Sequence, residues 1–138
     1  MSKSQATQAT SRARPLSPHL SVYRSPITMT TSILHRITGG ALYFGTLLVA
    51  WWLIAAATSQ HYFDFVSWVY GSWIGQLVLL GYTWALMLHM LGGIRHLVWD
   101  TGAGLEKHTA SKIAWASLAA SVVLTALVWI VGYMVRGA

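Results

Sequence analysis

The sequence contains no cysteine. That excludes disulfides, cysteine-ligated iron–sulfur clusters and thiol catalysis together. Any redox chemistry must use histidine-held or non-covalently bound cofactors. Charge is also scarce. There are only 3 acidic residues, and charged residues make up 9 % of the chain, against roughly 25 % in an average soluble protein. The chain contains 3 prolines, all within Arg14–Pro26. No internal repeat is visible, and the length suits one domain.

Apolar residues make up 55 % of the chain, and there are 8 tryptophans. Indole rings favour membrane interfaces, so this composition indicates an integral membrane protein. The net charge of +6 does not indicate nucleic-acid binding, because the basic residues are dispersed around apolar spans rather than gathered into a stripe. Anionic lipid head groups, or an acidic group on a cofactor, suit them better.

Roughly 20 apolar residues span a bilayer core as a helix. Three stretches qualify, and the fold class is an all-α membrane protein with spans at about 30–57, 65–95 and 112–135. None resembles a cleavable signal peptide: the first begins too far into the chain and is too long. Residues 1–13 lack acids and are rich in Ser, Thr, Ala and Gln, the composition of a disordered tail or of a transit peptide. Residues 14–29, punctuated by Pro15, Pro18 and Pro26, read as an extended segment on the inside surface.

The loop Thr58–Asp64 has no Lys or Arg, whereas Arg95, Lys107 and Lys112 lie between the last two spans. Lys3, Arg12, Arg14, Arg24 and Arg36 lie on the N-terminal side, and only Arg136 lies at the far end. The positive-inside rule therefore places the N-terminus inside and the C-terminus outside.

Ionisable residues within membrane spans are costly and usually functional. Ser32, His35 and Arg36 fall on one helix face by their i, i+3 and i+4 spacing. Their bland reading is snorkelling to lipid head groups. His89 and His96 are a near-integral number of turns apart, separated by roughly 10 Å along the axis. Gly92 and Gly93 lie between them and clear a flat slot. A haem fits, with His89 as axial ligand and His96 meeting a propionate; so does close helix packing through small residues. Both clusters fall in the inner leaflet, and Asp100 follows at its edge. His35 reads as too near the surface to face His89. His19 and His108 lie outside the spans and His61 on the opposite side. If the iron is six-coordinate, its second ligand must therefore come from a partner chain.

Three runs carry a resemblance to a known family. They are Arg14-Pro-Leu-Ser-Pro-His-Leu-Ser-Val-Tyr23, Ser32-Ile-Leu-His-Arg-Ile-Thr-Gly39 and His89-Met-Leu-Gly-Gly-Ile-Arg-His-Leu-Val-Trp-Asp100. In this order on a three-span chain they resemble the cytochrome b556 subunits of succinate dehydrogenase, a membrane anchor of respiratory complex II. The first run is similar to alphaproteobacterial and mitochondrial members. The resemblance implies a bundle with a second anchor subunit, and haem b shared between the two. It implies His89 as the axial ligand to the haem iron, with His35, Arg36 and His96 near the propionates. It implies Ser32 and Arg36 in a ubiquinone pocket, and no flavin or iron–sulfur cluster in this chain. An iron–sulfur subunit and a flavoprotein subunit would complete the assembly in the bacterial cytoplasmic membrane, in preference to the mitochondrial inner membrane. Asp100 is a candidate proton relay, or simply caps its helix or pairs with Arg95. The rivals are an anchor of a quinol:fumarate reductase and a structural anchor that binds neither haem nor quinone.

The lack of cysteine makes the orientation simple to test. Gln60→Cys should react with a membrane-impermeant maleimide from the outside, and Glu106→Cys only after permeabilisation. The reverse pattern would invert the topology.

Overall fold

The computed structural model describes residues 24–137, so the tail and most of the expected extended segment lie outside the described residues. The described residues form four helices: α1 (Ile27–Thr58), α2 (Gln60–Gly71), α3 (Trp73–Asp100) and α4 (Lys107–Gly137). There is no strand among them. Helices α1, α3 and α4 are long and apolar enough to cross a membrane. In a bilayer core only a helix or a closed barrel can satisfy its own backbone, so long apolar segments fold this way.

Two boundaries differ from the sequence reading. Helix α1 begins at Ile27 rather than near Thr30, directly after Pro26, whose carbonyl accepts from Met29 and Thr30 N–H. Proline cannot donate but does no harm at a helix start. The second apolar stretch is not one helix. It breaks at Ser72, whose backbone is extended (φ −64°, ψ 158°) and whose hydroxyl accepts from Gly75 N–H at 3.1 Å to start α3. Apolarity runs unbroken through this point, so hydropathy alone cannot locate it.

Helix α2, at 12 residues, is too short to span. It folds back along the end of α1: Trp51 Nε1–H donates to Tyr62 Oη at 2.8 Å, and Tyr70 Oη–H donates to the Leu48 carbonyl at 2.6 Å. The turn from α3 to α4 uses Gly102 and Gly104, with φ of 81° and 72°. Both lie in the left-handed region that side chains disfavour.

The spans pack through small and hydroxylated residues. The buried set is Thr31, Thr38 and Gly45 with Ala55 on α1, Ala85, Leu88, Gly92 and Arg95 on α3, and Ala110, Ala114, Ser121 and Thr125 on α4. Thr31, Thr38 and Gly45 recur every seven residues, a spacing that keeps one face of α1 against its neighbour. The Tyr82 ring lies where a Cβ on Gly45 would be. Buried hydroxyls satisfy themselves on their own helix, as in Thr38 to the Leu34 carbonyl at 2.9 Å and Thr125 to Ser121 at 2.7 Å. This lets polar side chains sit between apolar helices without orphaned groups. Large apolar side chains such as Phe44, Trp73, Leu97 and Met134 point outward, which inverts the soluble pattern and suits lipid or neighbouring subunits.

The Trp51–Tyr62 bond fastens α2. Tyr62→Phe leaves a half-buried indole N–H without its acceptor and should cost about 1–3 kcal/mol. The check is the thermal midpoint of the purified protein, and adding Trp51→Phe should recover part of the loss.

Candidate functional site

Helices α1 and α3 run antiparallel, so each turn of one meets a fixed turn of the other. Thr31 meets Arg95, His35 meets Gly92, Thr38 meets His89 and Gly45 meets Tyr82. This register brings together most of the ionisable residues singled out in the sequence.

His89 is held from α1. Its Nδ1 lies 3.1 Å from the His35 carbonyl oxygen and 3.3 Å from Thr38 Oγ1. A carbonyl only accepts, so this contact places the proton on Nδ1 and leaves the lone pair on Nε2. Nε2 has no hydrogen-bond partner among the described residues. The ring approaches α1 because position 39 is glycine: a Cβ there would lie 3.0 Å from His89 Cε1.

His35 lies against His89, with ring centroids 4.0 Å apart and planes 3° from parallel. The expectation that His35 sits too near the surface to face His89 is corrected. The helices cross close enough for the imidazole to turn inward over Gly92, where a Cβ would overlap its Nδ1. The expected empty slot is therefore half filled: His35 covers Gly92, while a Cβ on Gly93 would meet nothing. Stacked rings turn π faces, not lone pairs, toward each other. His35 as placed is thus not aimed to ligate the opposite side of a metal bound at His89.

His96 completes a histidine group. Its ring is 5.4 Å from that of His35 and 5.2 Å, edge-on, from Trp99. His96 and Arg36 are exposed, Ser32 and His89 are half-buried, and Asp100 is exposed at the end of α3. Asp100 does not pair with Arg95. Unlike Thr31 and Thr38 on the same helix, Ser32 has no hydrogen bond on its hydroxyl among the described residues.

Arg95, which the sequence places at the end of the second span and counts among the inside cations, has no functional role assigned there. It is 3 % exposed. One guanidinium nitrogen donates to Thr31 Oγ1 at 2.9 Å, and the group lies 5.1 Å from the Trp99 ring centre. The available signal was its spacing, three residues after Gly92 and thus on the packed face. The buried polar atoms without a partner among the described residues are His35 Nδ1, Trp84 Nε1, Arg95 Nε and Trp99 Nε1. Three of these four belong to this cluster. Buried donors and acceptors are normally satisfied, so their concentration here marks a site completed by something else.

The fit of His35 over Gly92 is testable. Gly92→Ala should destabilise the protein by about 1–3 kcal/mol through overpacking. Gly93→Ala, with open space beside it, should be neutral or slightly stabilising, since alanine is the better helix former. Detergent unfolding midpoints of the two variants decide this.

Similarity to known proteins covers most of the chain. Residues 10–128 match the family described as succinate dehydrogenase/fumarate reductase transmembrane subunit. The chain is 51 % identical over 121 residues to the succinate dehydrogenase cytochrome b556 subunit of Paracoccus denitrificans, covering 88 % of this chain and 93 % of that protein. It is 37 % identical over 117 residues to the same subunit of Rickettsia prowazekii, covering 85 % and 91 %. It is also 37 % identical over 122 residues to the mitochondrial cytochrome b560 subunit of Mus musculus, covering 86 % and 69 %. The two sequence runs that frame the histidine cluster thus sit in a protein whose relatives are named as cytochrome b556 or b560 subunits of succinate dehydrogenase. With its three apolar helices, the chain belongs to the family of transmembrane subunits of succinate dehydrogenase and fumarate reductase, as a cytochrome b membrane subunit of the succinate dehydrogenase type.

Proposed function

We propose that this chain is half of a membrane anchor that binds haem b and ubiquinone and returns electrons from succinate oxidation to the quinone pool. The observation that carries the reading is His89: its Nδ1 is held by the α1 backbone and its Nε2 meets no partner among the described residues. A histidine fixed through one nitrogen presents the other as a metal ligand of defined direction. The name cytochrome b556 on the relatives supports the same assignment.

A bound haem b would supply a one-electron carrier. His89 Nε2 would ligate its iron, and His35, Arg36 and His96 would face its propionates. Since the His35 ring lies flat on His89, any further protein ligand to that iron would be supplied by the second anchor subunit. The exposure of Arg36 and His96 supports a site shared across that interface. An iron–sulfur subunit and a flavoprotein subunit would complete the enzyme on the inner side of a bacterial cytoplasmic membrane, with the N-terminus of this chain inside.

Ser32 and Arg36 serve the quinone. The unengaged Ser32 hydroxyl donates to a quinone carbonyl, and the Arg36 guanidinium stabilises negative charge as that oxygen is reduced. Fixed donors aimed at developing charge are the general electrostatic device of catalysis. Asp100, exposed at the membrane edge, passes protons inward from the aqueous side. The cluster of unmet buried groups favours this reading over a purely structural anchor, and the succinate dehydrogenase names of the relatives favour it over fumarate reduction.

The purified complex should show a b-type band on dithionite reduction, and His89→Ala should abolish or shift it. Ser32→Ala and Arg36→Ala should each lower quinone reduction on the order of 10- to 100-fold, the worth of one hydrogen bond to a charged group. Succinate oxidation with an artificial dye should persist in both. Quinone kinetics unchanged in both variants would remove the quinone assignment, and an unaltered spectrum in His89→Ala would remove the ligand.

A further inference from the structure

Arg95 differs from every other described cation. Arg24, Arg36, Lys107, Lys112 and Arg136 are exposed, whereas Arg95 is 3 % exposed. The chain has 3 acidic residues, Asp64, Asp100 and Glu106, and none of them pairs with it. Among the described residues its partners are the neutral Thr31 hydroxyl and the Trp99 ring, and its buried Nε has no acceptor there. A guanidinium stays charged and offers five N–H donors. A buried cation without an anion is costly enough that such residues are nearly always paired. The site therefore lacks a carboxylate, and the planar fork of Arg95 matches one.

Position shows which carboxylate. Arg95 is six residues beyond His89 on α3, roughly 9 Å along the axis toward the inner surface. It is adjacent to His96, shares the Trp99 ring with it, and is tied to Thr31, one turn before His35 on α1. It thus lies on the surface side of the histidine that would hold iron. We infer that Arg95 is the buried counter-ion of a haem propionate, and that its charge raises the reduction potential of that haem. This rests on the haem reading above. A fixed positive charge stabilises the form that has gained an electron, so its removal must lower the potential.

The test uses the whole complex, with Arg95→Gln, Arg95→Lys and Thr31→Val compared by redox titration of the b-type band. Arg95→Gln should lower the midpoint potential, while Arg95→Lys and Thr31→Val, which keep the charge, should stay near the unaltered complex. Equal shifts in Arg95→Gln and Thr31→Val would make Arg95 only a clasp between helices and overturn the inference. An unmoved potential in Arg95→Gln would overturn it too, while leaving the haem reading intact. No b-type band in the unaltered complex would overturn both. If Arg95→Gln does not assemble, Arg95→Lys is read instead by redox-difference infrared spectroscopy with carboxyl-labelled haem. A propionate band shifted from that of the unaltered complex supports the inference, and an unshifted one overturns it.

Discussion

A bilayer core offers no hydrogen-bond partners, and the backbone and most of the buried hydroxyls of the described residues answer to that constraint. The backbone meets it by forming long helices. The hydroxyls meet it by bonding carbonyls of their own helices, as Thr38, Thr83 and Thr125 do. Lipid provides little hydrophobic drive between helices, so close approach and polar contacts must hold them together. The contact of α1 with α3 shows both. Gly39, Gly45 and Gly92 remove side chains where His89, Tyr82 and His35 need room. Thr31 then meets Arg95 across the gap.

That contact also makes the site. The glycines are used for side-chain-to-backbone approach across the helix pair, and the guests they admit are two histidines and a tyrosine. His89 reaches the α1 carbonyl row only because α1 is close, and His35 turns inward only because Gly92 yields. The result is a compact group of imidazoles beside a buried guanidinium, with three unmet polar atoms at His35, Arg95 and Trp99. A soluble protein would bring water to such groups. Here the completing atoms lie outside the described residues, and a ligand or a neighbouring subunit in that role agrees with membership of the family of succinate dehydrogenase/fumarate reductase transmembrane subunits.

The outward face is consistent with that dependence. Helix α3 exposes Trp73, Ile74, Leu77, Ile94 and Leu97, and α1 exposes Phe44, Leu47 and Leu53. Arg36 and His96 are exposed at the same end as the cluster. Lipid suits the apolar positions but not an exposed imidazole and an exposed guanidinium. Helix α2 is held apart from this end, its bonds to Trp51 and Leu48 fixing it against the far part of α1.

Much of this was readable from residues alone, because a span needs only length and apolarity, and an ionisable group within one is conspicuous. The three spans, the membrane class, the family and the gathering of Ser32, His35, Arg36, His89 and His96 at one end follow from order along the chain. Other features depend on how two helices meet. The break at Ser72 is set by one extended residue inside an unbroken apolar run. The stacking of His35 on His89 depends on crossing distance, which spacing along a single helix does not contain. Arg95 is the clearest case: in sequence it is the first charge after a span and resembles a loop cation. Only the register of α1 against α3 buries it, because the residue opposite is a threonine that accepts its hydrogen bond where lipid or water would otherwise have been its neighbour.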